Sequence, residues 1–465
     1  MRIVCISDLH LGDPRCGIVK RDPASGEFVL SDKYIKLRDA CLAGVQISDT
    51  ATAANDYLVL LGDIFDFAIQ HYETAYNAAK VFFAAIVKDK LAADIIYLAG
   101  NHDRDMWHLL QYEICIVKRI RKCLPPQPLR HSVAAIIDER PNSKTKDLWL
   151  ISAHDELIDV VYEKSRENRD GIFLDRLFFS SPINDDFKPT FNQDRPRFFV
   201  ANPNFYLVTK NGDCILFTHG DYFQITWAIE GELAIALTQD DLNNASIVKT
   251  PTNVVCDPQY GLFAPLDSMM AMNFSINQFM CSGVGQAGPL TYIFQTVQQE
   301  IENAKSTKDL KRVRKYYKRL PGVLIDILNF GLIAAIILKI LFKFTKNWFL
   351  KKIAKIENPK TINNFLAQKD VQKRIGKFFL SSIQQLNHIN SLPLYCDNKI
   401  PIPNTLVFGH THAPIPWSNP TLLANHITGS ELKCVNSGGW LLHGDKVNAE
   451  VFIYNNGQIS SQFIE

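Results

Sequence analysis

Three apolar runs in the first hundred residues each break off into charged or polar side chains. RIVCIS leads into Asp8 and His10, DYLVLLGD carries Asp63 ahead of Asp66, and ADIIYLAGN ends on Asn101, before His102 and Asp103. Helix-like segments at 33–47 and 71–90 separate the three. Nearly continuous apolar runs alternating with helices predict parallel strands covered on both faces, in a βαβαβ order. Sheets of that kind place their sites beyond the carboxyl ends of the strands. One edge is therefore expected to gather carboxylates, an amide and imidazoles. Side by side they would repel or stay unpaired unless something positive lay among them, and a metal cluster meets that need.

Further along, FYLVTKNGDCILFTHGD reads as a hairpin turned at Asn211-Gly212, with His219 leaving its second strand. TLVFGHTH ends another apolar strand on His410 and His412, whose spacing of two puts both on one face of an extended segment. His154, at the end of LWLISAHDEL, competes with His219 as a ligand. Gly220 favours His219, because it permits close backbone approach to a crowded site. Asp13, His71, His108 and His131 read as surface or turn residues.

The order D-x-H, GD-x-x-D, GNH[DE], a His beside Gly, and GH-x-H resembles the calcineurin-like metallophosphoesterases, over residues 1–221 and 401–465. The resemblance implies an α/β fold, a four-layer α/β/β/α sandwich of two mixed sheets. It implies that Asp8, His10, Asp63 and His412 hold one divalent ion and Asp63, Asn101, His219 and His410 a second, with Asp63 bridging. Asp66 would hydrogen-bond His102 and fix its tautomer. His102, outside the ligand set, is left to protonate a leaving oxygen or to stabilise charge on the phosphoryl group. Imidazole and carboxylate with one amide oxygen suit Mn, Fe, Zn or Co better than Ca, and Mn is the expected metal. Two such ions roughly 3.5 to 4 Å apart clamp an in-line displacement at phosphorus and acidify a bridging water. The expected activity is thus hydrolysis of a phosphoester or pyrophosphate.

Within the family, SDLHLGD and THGD look nearest to the UDP-diacylglucosamine pyrophosphohydrolases, membrane-surface enzymes that commonly have Arg where His102 stands. A lipid-linked substrate follows as the leading expectation. The other readings are a phosphoprotein phosphatase, a nuclease holding nucleic acid on a basic surface and, outside catalysis, an inactive binding scaffold.

Composition bears on the partner. The chain has 465 residues and a net charge of +2, with no global pull toward nucleic acid or membrane. Residues 301–380, however, carry 19 Lys and Arg against 5 Asp and Glu, leaving −12 for the rest. They belong to a predicted insertion, 222–400, mainly helical, with candidate ligands on both sides of it in sequence. The uncharged run Ile327–Leu338 is shorter than the roughly 20 residues of a spanning helix. Its basic flanks predict peripheral attachment to an anionic membrane surface. The opening MRIVCISDLH has no apolar signal segment, and the ten cysteines form no C-x-x-C pair. Reduced thiols and a cytoplasmic location, at the inner face of a membrane, are the expectation.

Overall fold

The three predicted strands form as Arg2–Ile6, Asn55–Leu61 and Ala92–Leu98 in a computed structural model of the chain, and they pair in parallel in that order. Helices Asp32–Leu42 and Tyr72–Lys88 supply the crossovers that parallel neighbours require. The structure describes residues 1–45, 53–129, 131–138, 148–152, 196–237, 311–328, 365–391, 399–425 and 429–465, with shorter pieces between 255 and 310 and between 339 and 347. The chain divides into two units, Met1–Val284 with Leu366–Glu465, and Gly285–Phe365.

In the first unit, Arg197–Ala201 extends the three strands in parallel on one side. On the other side lies antiparallel Lys446–Asn455, which also pairs with Gly438–His443 and Gln458–Ile464. A second sheet runs Thr421–Asn425, Ser430–Asn436, Thr405–Phe408, Cys214–Thr218, Asn204–Val208, Ser132–Ile137, Leu148–Ser152 and mixes both kinds of pairing. The predicted hairpin is its Asn204–Val208 and Cys214–Thr218 pair, turned at Gly212 with φ +80°.

Alternation along each strand fills two apolar layers. Ile3 and Cys5 join Phe205, Leu207, Ile215 and Val407 between the sheets, while Val4 and Ile6 join Tyr34, Leu37, Phe82 and Ile86 under the helices. With both faces buried, the strands have no polar side, which is why they read as unbroken runs. Helix Lys369–Ser391 covers the outer face of the second sheet. Ser382 Oγ accepts from Asn204 Nδ2 at 3.1 Å, and Phe378 and Phe408 both pack against Phe223 with ring centroids 5.5 Å away. The result is the expected α/β/β/α sandwich with two mixed sheets. Arg374 and Lys377, counted above among the positive charges of 301–380, are only 7% and 6% exposed and pair with Asp370 and Glu232.

In the second unit, helix Lys311–Leu328 exposes Lys311, Arg312, Lys315, Lys318 and Arg319 and buries Val313 and Tyr317. Tyr316 and Leu320 are exposed among the charges. Most of Ile327–Leu338 lies outside the described residues. Among those described, no helix is long and apolar enough to cross a membrane. Cys5, Cys16, Cys41, Cys115, Cys214, Cys281 and Cys434 are buried free thiols, and Cys123 is an exposed one.

Candidate metal centre

Beyond the strands the backbone keeps its partners. The Asp8 N–H donates to Gly62 O at 3.0 Å, that of His10 to Asp63 O at 2.9 Å and that of Trp440 to Asp8 O at 3.0 Å. Asp8, His10, Asp63, His410 and His412 all have φ between 50° and 68°, in the left-handed region that side chains other than glycine seldom adopt. Strained backbone of this kind gathers at functional sites, where the surroundings hold it in place. Space is equally tight. A Cβ on Gly100 would come within 2.1 Å of Asp63 Oδ1, and one on Gly409 within 2.3 Å of Asp8 Oδ2, so the sequence pairs GN and GH have a steric cause. Gly220 has a different one, φ +102° at the start of the turn after His219.

The structure brings together all seven residues expected to hold metal. Asp8, His10 and His412 form one group able to hold an ion, and Asp63, His219 and His410 another. The Nε2 atoms of His10 and His412 are 3.0 Å apart, and His412 Nε2 is 3.3 Å from Asp8 Oδ1. In the second group His219 Nε2 lies 3.2 Å from Asp63 Oδ2 and 3.0 Å from Asn101 Oδ1. Asp63 Oδ2 is also 3.9 Å from His10 Nε2, so this carboxylate adjoins both groups. His219 Nδ1 is engaged by Leu61 O at 3.0 Å, which turns Nε2 into the site.

Asp66 does more than the sequence suggested. Its Oδ1 lies 3.0 Å from His102 Nδ1, as expected, and its Oδ2 lies 2.9 Å from His10 Nδ1. These bonds account for the third ion-like grouping, His10, Asp66 and His102. The role of Asp103 was also missed. Its carboxylate accepts from the N–H groups of Ile64 and Gly100, each at 2.7 Å, and from the Tyr97 hydroxyl, tying the second and third strand ends together. Ser7 donates to Asp8 and meets Ser437 Oγ at 2.6 Å. Gln224 Oε1 lies 2.6 Å from His410 Nε2. A polar residue next to a ligand motif was the only signal for Ser7 and Asp103, and Gln224 gave none.

Burial alone would raise the Asp63 carboxyl, but the facing His219 and His102 hold it well below its ordinary value. Burial likewise opposes protonation of His219, and the adjoining Asp63 outweighs it, lifting the imidazole to about 10. Burial and the charge on His219 push His410 down to about 3.

Of the four residues read as surface or turn, Asp13 does lie in a turn, but it and His131 are not at the surface. Asp13 is buried, accepting from the Arg15 backbone and guanidinium. His131 is buried and stacked on Trp107 at 4.7 Å. The nearby Arg15 guanidinium compensates the buried Asp13 carboxylate, and Trp107, distant in sequence, gives His131 its stacking partner. His71 is exposed and His108 half-buried. His154, the competitor of His219, lies outside the described residues.

No curated protein matches the chain. Residues 1–220, a stretch ending just past His219, match the family model of the calcineurin-like phosphoesterases.

Proposed function

We propose that the chain hydrolyses a phosphoester at a pair of divalent ions, one held by Asp8, His10, Asp63 and His412, the other by Asp63, Asn101, His219 and His410. The observation that carries this reading is the spacing of the ligand atoms. Two donors each about 2.1 Å from one ion, at angles between 90° and 109°, lie about 3.0 to 3.4 Å from each other. The pairs His10 with His412, His412 with Asp8, His219 with Asp63 and His219 with Asn101 fall within that range, at 3.0, 3.3, 3.2 and 3.0 Å. The donor set suits manganese, iron, zinc or cobalt.

The ions would supply charge at the phosphoryl oxygens and a more acidic water. The chain's own residues supply position and a proton. Asp63 adjoins both groups, and its Oδ1 accepts from the His102 backbone N–H at 2.8 Å, which ties this carboxylate to the segment carrying the proton donor. With Nδ1 of His102 held by Asp66, Nε2 is the nitrogen that can protonate the leaving oxygen. Such a donor is worth about 10² to 10⁴ in rate.

Within this reading the substrate is a phosphate or pyrophosphate compound at an anionic lipid surface. Support comes from helix Lys311–Leu328, where exposed Tyr316 and Leu320 lie among exposed basic residues, a pattern suited to anionic headgroups. The test is turnover by metal-reconstituted protein of nucleotide-sugar pyrophosphates, phospholipids, phosphopeptides and single-stranded DNA, with flotation on anionic and neutral vesicles. Hydrolysis of the first or second class and salt-sensitive flotation on anionic vesicles are expected. Turnover of peptide or DNA alone would replace the substrate class, and two bound ions with no turnover at all would leave the binding scaffold.

A further inference from the structure

His410 Nε2 faces Gln224 Oε1 at 2.6 Å, in a part of the chain where no sequence motif calls for glutamine. An amide oxygen only accepts, so the imidazole must carry its proton on Nε2 and present the Nδ1 lone pair on its other side. A hydrogen-bond partner behind a metal-binding imidazole commonly sets its tautomer and ring orientation. The turn that carries Gln224 is fixed from three directions. Arg104 Nη2 bonds Asp221 Oδ2 at 2.8 Å, with both residues buried. Phe223 packs between Phe408, two residues before His410, and Phe378 of the helix Lys369–Ser391. From the same helix, buried Arg374 donates through Nε to Phe223 O at 2.7 Å.

We infer that Gln224 is the positioning residue for the ion position of His219 and His410, and that Arg374 fastens it there. The inference rests on the two-ion reading above. It gives the helix Lys369–Ser391, some 150 residues away in sequence, a task beyond covering the sheet: its guanidinium holds the carbonyl next to Gln224, and Gln224 orients a ligand. Gln224 acts through His410 and touches no reacting atom.

The experiment measures Mn²⁺ binding by calorimetry, and the electron paramagnetic resonance signal of the paired ions, for the full chain, Gln224→Ala, Gln224→Glu and Arg374→Ala. Loss of an imidazole's outer partner costs about 10 to 100-fold in metal affinity. Gln224→Ala should therefore weaken one of two binding events by that factor, leave the other unchanged and abolish the coupled signal at one equivalent above the tighter site. Gln224→Glu keeps an acceptor and should restore it, while Arg374→Ala should weaken the same event by a smaller factor. If Gln224→Ala melts below the wild type in chelator, Gln224→Met, which fills the same volume without an acceptor, takes its place. Wild-type protein that binds fewer than two ions overturns the two-ion reading. Two wild-type events with no change in the variants, or with both events weakened equally, overturn the role of Gln224.

Discussion

The Nε2 atoms of His10 and His412 face each other across 3.0 Å. His10 Nδ1 is bound to the Asp66 carboxylate, so its proton is on that side and Nε2 presents a lone pair. His412 Nε2 is in addition 3.3 Å from an oxygen of Asp8. Lone pairs and carboxylate oxygens at these separations need a cation or a shared proton among them. Reconstituted protein is accordingly expected to hold about two transition-metal ions per chain. Asp63→Ala, which removes the carboxylate adjoining both groups, should lose both. Metal analysis of the two proteins decides it, and full occupancy in the variant would remove Asp63 from the centre.

Asp66→Asn should show two separable defects, because one carboxylate serves two imidazoles. Loosening His10 should weaken an ion by about 10 to 100-fold. Loosening His102 should slow substrates with poor leaving groups by about 10² even with saturating metal, and aryl phosphates much less, since a good leaving group needs no proton. Kinetics at rising metal concentration separate the two. A defect wholly cured by metal would confine Asp66 to the ligand.

Gly100→Ala tests the crowding directly. The new methyl would lie 2.1 Å from Asp63 Oδ1 and 2.5 Å from its backbone nitrogen, so the aspartate must move. A loss of about 1 to 3 kcal/mol in stability, typical of overpacking, should accompany loss of both ions. Gly26→Ala, where nothing lies within 4 Å of the added carbon but φ is +73°, is the control for the metal: backbone strain should cost it some stability while it keeps its ions. Denaturant melts with metal analysis give both quantities.

Metal uptake should release protons. In the metal-free protein His219 holds its proton up to about 10, because Asp63 outweighs the opposing effect of burial. An ion must displace that proton. Binding at pH 8, followed by calorimetry in buffers of different ionisation enthalpy, should therefore release at least about one proton per chain. Release from this group should fall away as the pH rises through about 10. The sign follows from a folded value raised above the unfolded 6.5: the proton's contribution to the metal-free fold is complete below pH 6.5 and lost as the pH rises through about 10. No release at pH 8 would mean that His219 is already neutral.

The strand ends could be read from sequence because a buried parallel strand has only one place to put a charge, its end. Asp8, Asp63, Asn101 and His410 stood out for that reason. Asp66 was placed beside His102 but not beside His10, since a carboxylate's second oxygen leaves no trace in spacing. Gln224 lies in a turn whose position depends on Arg104 and on a helix far along the chain. That helix was assigned to a positive surface by counting charge, and Arg374 and Lys377 are nevertheless buried in ion pairs. Charge counts do not distinguish a solvated cation from one desolvated against a partner.

The left-handed backbone at Asp8, His10, Asp63, His410 and His412 has a consequence for folding as well as chemistry. Conformations of that kind cost on the order of 1 to 3 kcal/mol each, and here they sit on separate strand ends that packing and a few hydrogen bonds must hold. Ions bound across those ends would act as a rivet. Protein stripped of metal should keep its sheets while the amides of Leu9, Ile64 and Thr411 exchange with solvent well before those of the strands behind them.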